Sequence, residues 1–199
     1  MTPSALLRAN FRGVIREASE ITVVDMETER MIIREFDSAD VKAFSEILAD
    51  PEVMEFSSNG PLSEADTMVF VEWCIKSYKK YGYGQWAVIE KKSGKLIGCC
   101  GLSCTTIDES DEVEIGYRLA RNQWGKGLAS EAANCVLAHG YENGNIESIV
   151  GIVSPRHRAS ICVLEKIGFR VFSETRYSGW NVRVYRISKS EWESFNTLL

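Results

Sequence analysis

No apolar run in this chain approaches the roughly 20 residues that a membrane-spanning helix needs, so no transmembrane segment is expected. The six cysteines include no C-x-x-C pair, and Cys99 and Cys100 are adjacent in a strand-like stretch. No metal site is therefore expected, and the thiols should be buried and reduced, as in a cytoplasmic protein. An excess of basic residues is also missing. Lys and Arg number 23 against 28 Asp and Glu, a net charge of −5, which argues against direct contact with nucleic acid. No internal repeat or low-complexity segment interrupts the chain, so one domain suffices. What is present is a chain of 199 residues, 45% hydrophobic and 26% charged, long enough for a substantial core.

The most informative stretch is Glu112–Ala133, EVEIGYRLARNQWGKGLASEAA. Val113, Ile115 and Tyr117 alternate with Glu112, Glu114, Gly116 and Arg118, which is the period of a half-buried strand. After a turn through Asn122–Gly127, Leu128, Ala132 and Val136 lie four apart, beside Ala129, Ala133 and Leu137, on one face of a helix. A strand that feeds a helix through two glycines leaves several amide N–H groups unpaired at the positive end of the helix dipole. Such a place suits an anion, most naturally a phosphate. Gly125 and Gly127 can adopt backbone shapes closed to other residues and keep a Cβ out of the anion's way.

Two common phosphate motifs are excluded. A Walker loop requires Ser or Thr after its lysine, but Lys126 is followed by Gly127, and Ala120 stands at the upstream glycine position. A dinucleotide fingerprint requires a third glycine where Ser130 stands. Asn122-x-x-Gly125-x-Gly127 instead resembles the acyl-CoA pyrophosphate loop of the GNAT superfamily of N-acetyltransferases, [Q/R]-x-x-G-x-[G/A], departing only at its first position. Glu114-Ile115-Gly116-Tyr117 with Trp124-Gly125-Lys126-Gly127 resembles the branch that contains the ribosomal-protein N-terminal acetyltransferases. His157-x-x-Ser160 followed by Leu164-Glu165-Lys166 and Gly168-Phe169 resembles that branch's next motif, with His157 replacing an asparagine. Arg30–Arg34 and Asp50–Met54 resemble its opening, so the likeness spans roughly residues 27–187 in order.

The resemblance implies an α/β fold with a mixed, mostly antiparallel central sheet whose central strands splay apart, flanked by helices. Local patterns predict strands at 30–36, 85–90, 95–102, 112–118, 147–153, 169–175 and 182–187. Helices are predicted after Asp37 or Ser38, after the capping box Ser63-x-x-Asp66, from Leu128, over 158–167, and after Ser188-x-x-Glu191. The second helix should face inward through Met68, Val71, Ile75 and Tyr78, and residues 105–111 read as a loop. Residues 1–25 form an extension that is expected to be loosely ordered, with Met26 standing just ahead of the domain at 26–199.

The implied cosubstrate is acetyl-CoA, with no metal, and the implied acceptor is a primary amine on a peptide N-terminus or a small molecule. The acidic balance is compatible with cationic acceptors, and a monomer or a homodimer is expected. An amine that is mostly protonated at neutral pH needs a base, because α-amines titrate near 8 and lysines near 10. Glu114, beside the expected splay, is the candidate, acting through water; the alternative is a strand carboxylate paired with Arg118 on the same face. Glu112 is its substitute. Many relatives protonate the leaving thiolate with a tyrosine seven residues after the asparagine, but that position is Leu164 here, so the resemblance assigns the role to Ser160. A helix-starting hydroxyl bonded to backbone is the other reading of Ser160. The backbone of Tyr117, Arg118 and Leu119 should hold the pantetheine arm, and Gly125, Lys126, Gly127, Leu128 and Ala129 the phosphates. Trp124 reads as an anchor for that loop, and His157 as a contact to the cofactor. Glu55 and Phe56, in the loop between the first two helices, are candidates for choosing the acceptor. A non-catalytic acyl-CoA-binding module is the rival from another class.

Overall fold

The computed structural model describes residues 26–144 and 146–197, so the expectation for residues 1–25 lies outside the described residues. The chain runs β1 (Met26–Glu27), β2 (Met31–Arg34), α1 (Asp40–Leu48), α2 (Glu64–Tyr81), β3 (Gln85–Glu90), β4 (Lys95–Ile107) and β5 (Ser110–Leu119). It continues through a 3₁₀ turn at Arg121–Gln123 into α3 (Leu128–Asn143), β6 (Ser148–Val153), α4 (Arg158–Lys166), β7 (Val171–Tyr177), β8 (Trp180–Ser188) and α5 (Lys189–Thr197). The strands form one eight-stranded sheet in the order β1-β2-β3-β4-β5-β6-β8-β7. Every neighbouring pair is antiparallel except β5 with β6. This is the mixed, mostly antiparallel sheet that the sequence predicts. Among the described residues no helix is long and apolar enough to cross a membrane.

Helix α3 supplies one side of the core. Its Ala132, Ala133, Val136 and Leu137 are completely buried, in one cluster with Leu102 and Ile115 of the sheet. The four-residue spacing seen in the sequence is thus a packed face. Phe44 of α1 stacks obliquely on Phe36 and on Phe70 of α2, joining the first two helices. Two predicted capping boxes form. Ser63 Oγ accepts from the Asp66 amide at 3.1 Å, and Ser188 Oγ accepts from the Glu191 amide at 3.3 Å, each returned by the partner carboxylate. Neither Asp37 nor Ser38 caps α1, which begins instead after Ala39 without a side-chain cap. Asp37 folds back to accept from the Ala39 amide, and Asp40 accepts from the Asp37 amide while paired with Arg34.

Two local expectations give way to tertiary contacts. Met68 is 49% exposed, and the buried face of α2 runs through Thr67, Val71, Cys74 and Tyr78. Residues 105–111 are not a loop: β4 and β5 pair as far as Ile107 and Ser110, leaving only Asp108 and Glu109 as the turn. Both take positive φ, 47° and 68°, which non-glycine residues rarely adopt. Thr175 Oγ1 of β7 donates to Asp108 Oδ1 at 3.0 Å and holds the turn from outside. All six cysteines are free, and burial pushes the Cys99 thiol up to about 11.

Candidate active site

Strand β5 delivers its side chains alternately to two sides of the sheet, and its C-terminal end leads into the glycine turn. Gly125 and Gly127 both have left-handed backbones, φ 74° and 77°, and Gly127 directly precedes α3. A Cβ at Gly125 would meet nothing within 4 Å, and one at Gly127 only Arg30 Nη2 at 3.7 Å. The glycines are therefore required by backbone shape rather than by crowding, and the space over them is open. The amides of residues 125–130 find no acceptor among the described residues. Six neighbouring donors at the positive end of a 16-residue helix make a cradle for an anion.

The cradle is braced from outside. Arg30 Nη1 donates to the Lys126 carbonyl at 2.9 Å, and the same guanidinium pairs with Glu131 of the first turn of α3 at 2.6 Å. Burial would raise the Glu131 carboxyl, but hydrogen bonds from Thr28 and Arg30 outweigh it and hold the pKa below the ordinary value. Trp124 is 48% exposed, and its Nε1 donates to the Leu119 carbonyl at 2.8 Å, locking the turn onto the end of β5. Lys126 Nζ is occupied by Gln123 Oε1 at 2.9 Å. Leu128 is buried and Ala129 packs against the core, so only their backbone faces the cradle.

Beside this turn the sheet opens. The register of β4 with β5 is continuous from Ile107–Ser110 to Gly98–Leu119, whereas β5 and β6 meet at the single pair Glu114–Val150. Beyond Glu114 the β5 edge that faces β6 is therefore unpaired among the described residues. Tyr117, Arg118 and Leu119 lie along it, although the Leu119 carbonyl is already taken by Trp124. The predicted splay is present at the predicted strands.

Glu114 sits where the opening begins. The residue keeps partial exposure, but its carboxyl lies deep. Burial raises its pKa from 4.5 to about 7, against the opposing pull of Arg118. The Arg118 guanidinium forms no ion pair or hydrogen bond among the described residues, so the paired-carboxylate reading of Glu114 reduces to a longer-range attraction. Glu112, the substitute base, is engaged by Arg186 through two bonds of 2.7 and 2.6 Å. Both of its oxygens are thereby turned to Arg186.

Helix α4 closes the other side of the opening. His157 stacks on Phe56 with ring centroids 4.1 Å apart and planes 11° from parallel. Burial lowers the His157 pKa, Glu55 opposes that, and Arg118 adds to it. The loop between α1 and α2 thus touches α4, and Glu52 carries it to Arg121 through a 2.5 Å ion pair. Sequence reasoning named Glu55 and Phe56 but could not bring them to His157. Ser160 Oγ lies 2.9 Å from the Tyr117 hydroxyl, a contact no local pattern signals, since the two are 43 residues apart. Leu164 is 2% exposed and packs against Gly151, where a Cβ would stand 2.5 Å from Leu164 Cδ2. That position is filled by core packing and presents no donor.

Residues 30–170 match the acetyltransferase (GNAT) domain family. The uncharacterized N-acetyltransferase p20 of Bacillus licheniformis is 30% identical over 144 residues, which is 72% of this chain and 80% of that protein. A GNAT-family acetyltransferase from Bacillus anthracis has the same fold, with a TM-score of 0.72 and 27% identity over 84% of this chain and 99% of that one. The ribosomal-protein-S5-alanine acetyltransferase of Vibrio fischeri superposes with a TM-score of 0.71 at 19% identity, covering 85% and 98% of the two chains, a likeness of fold. The glycine turn, the opened sheet and the family match agree: this chain belongs to the GNAT family and is an acetyl-CoA-dependent acetyltransferase.

Proposed function

We propose that the enzyme acetylates a primary amine, a peptide N-terminal α-amine or a small-molecule amine, by direct attack in a ternary complex, with Glu114 as base and Ser160 as donor to the departing sulfur. The observation that carries this reading is the position of Glu114 at the one residue pair where β5 and β6 still meet, with a carboxyl that titrates at about 7. A base with that pKa is half ionised at neutral pH and is still basic enough to take a proton in the transition state.

Acetyl-CoA supplies the acyl group as a thioester. The six amides of residues 125–130, without an acceptor among the described residues, and the open space over Gly125 fit its pyrophosphate, with Arg30 holding the Lys126 carbonyl so that the turn keeps its shape. The unpaired edge at Tyr117–Arg118 suits an amide-bearing arm that adds itself as a strand. Glu114 draws the proton from the attacking amine through water, which its partial exposure admits. The bond that breaks is the one from acetyl carbon to sulfur, and its electron pair remains on sulfur, where the Ser160 hydroxyl stabilises it. Phe56 forms a wall of the acceptor's entrance, stacked on His157, the contact to the cofactor, and the tie from Glu52 to Arg121 keeps that loop beside the cradle. The resemblance to the ribosomal-protein branch keeps a peptide N-terminus among the acceptors, beside a small-molecule amine.

The test is CoA release from acetyl-CoA in the presence of ribosomal-protein N-terminal peptides, polyamines and aminoglycosides, each assayed alone. Saturable release with at least one primary amine, and none with its N-acetylated form, is expected. Release that is the same with and without every amine would overturn the reading.

A further inference from the structure

The Tyr117 hydroxyl stands 2.9 Å from the Ser160 carbonyl oxygen and 2.9 Å from Ser160 Oγ. Tyr117 projects from β5 three residues past the Glu114–Val150 pair, inside the opened part of the sheet. Both side chains are half-buried, and burial pushes the phenol pKa well above 10, against the hydrogen bond to Ser160, so it keeps its proton at any working pH.

Counting hydrogens at this pair gives two arrangements in which the hydroxyls bond each other. The phenol carries one proton, the serine hydroxyl one, and the carbonyl none. In the first, the Tyr117 O–H donates to the Ser160 carbonyl and the Ser160 O–H donates to Tyr117 Oη. Both hydrogens are then spent between the two residues, and Ser160 has none left for a ligand. In the second, the Tyr117 O–H donates to Ser160 Oγ, which releases the serine hydrogen toward the opened sheet. Exchange between them needs only rotation about two C–O bonds, with no movement of any heavy atom.

We infer that Tyr117 is a positioning residue that sets which way the Ser160 hydroxyl donates, and so supplies the second hydroxyl of a two-member relay to the departing sulfur. The inference rests on the reading of Ser160 as the sulfur's donor. In the active arrangement the chain runs from the Tyr117 O–H to Ser160 Oγ and from the Ser160 O–H to sulfur. Each bond polarises the next as negative charge develops on sulfur. Tyr117 loses no proton, because its buried phenol is a far weaker acid than a thiol. The serine hydrogen stabilises the thiolate, which takes its own proton from solvent after release.

A double-mutant cycle separates this from packing. Tyr117→Phe removes one oxygen and leaves the ring. It should lower kcat about tenfold, the scale of one lost hydrogen bond, with the KM for acetyl-CoA nearly unchanged. In a Ser160→Ala background the same change should alter kcat less than about twofold, because the hydroxyl through which Tyr117 acts is gone. Thermal melts of all four proteins check that the fold survives. If Ser160→Ala lowers kcat and Tyr117→Phe multiplies that loss equally in both backgrounds, or does nothing in either, the relay is wrong while the assignment of Ser160 stands. If Ser160→Ala leaves kcat unchanged, the assignment of Ser160 fails and the relay fails with it.

Discussion

Glu114 is the residue at which structure and chemistry are most tightly coupled. Its folded pKa of about 7 lies above its ordinary value of 4.5, so the folded state binds the proton more tightly than the unfolded chain. The stability this contributes is fully present below pH 4.5 and is lost as pH rises through about 7, at a cost of roughly 3 kcal/mol once the carboxylate is ionised. Glu114→Gln carries no charge to bury. Its melting temperature should exceed that of the parent protein above about pH 8 and converge with it near pH 4. Thermal melts across that range check this, and a difference that does not vary with pH would mean that the carboxyl is not buried when ionised. Ser160→Ala makes a separate prediction. Turnover should fall about tenfold while acetyl-CoA affinity, read by calorimetric titration, changes little, since a bond to sulfur strengthens only as charge develops there. A loss of affinity as large as the loss of turnover would return Ser160 to a binding or structural role.

At the scale of elements, the strand–turn–helix unit from β5 to α3 was legible because its signals are local. Alternation marks the strand, two glycines mark the turn, and a four-residue spacing marks the helix. The same holds for the capping boxes at Ser63 and Ser188. What escaped sequence reasoning depends on distant partners. The β4–β5 turn uses Asp108 and Glu109 with no glycine to announce it, and its shape is held by Thr175 from another hairpin. The exposure of Met68 follows from which face of α2 meets the sheet, which the spacing within the helix leaves open. Replacing Gly125 or Gly127 by Val would put a branched side chain in the open space over the amides and force a β-branched residue into a left-handed backbone. Calorimetry should find acetyl-CoA affinity reduced roughly tenfold or more, from the loss of charge-assisted bonds to phosphate, in a protein that still folds. Undiminished affinity in a folded variant would remove the turn from the cofactor site.

Across the whole molecule, the sheet is continuous on both flanks and, among the described residues, opens at a seam between β5 and β6, and four segments carrying the proposed groups border that opening. The turn before α3 brings the amides, β5 brings Glu114 and Tyr117, α4 and the residue before it bring Ser160 and His157, and the α1–α2 loop brings Phe56. The motifs allowed each segment to be named in isolation. Their convergence, the engagement of Glu112 by Arg186 and the contact of Tyr117 with Ser160 required the folded chain. The central claim is that this seam places an amine against a base that titrates at about 7. It is tested most directly by the pH dependence of kcat/KM for one amine acceptor, measured for the parent enzyme and for Glu114→Gln. With the carboxylate as the active form, the parent profile should rise with pH through about 7, in addition to any limb from the acceptor's own ionisation. In Glu114→Gln the limb near 7 should vanish, with a loss of about a hundredfold near neutrality that narrows as free amine accumulates at higher pH. Two parallel profiles, separated by a small constant factor, would contradict the account.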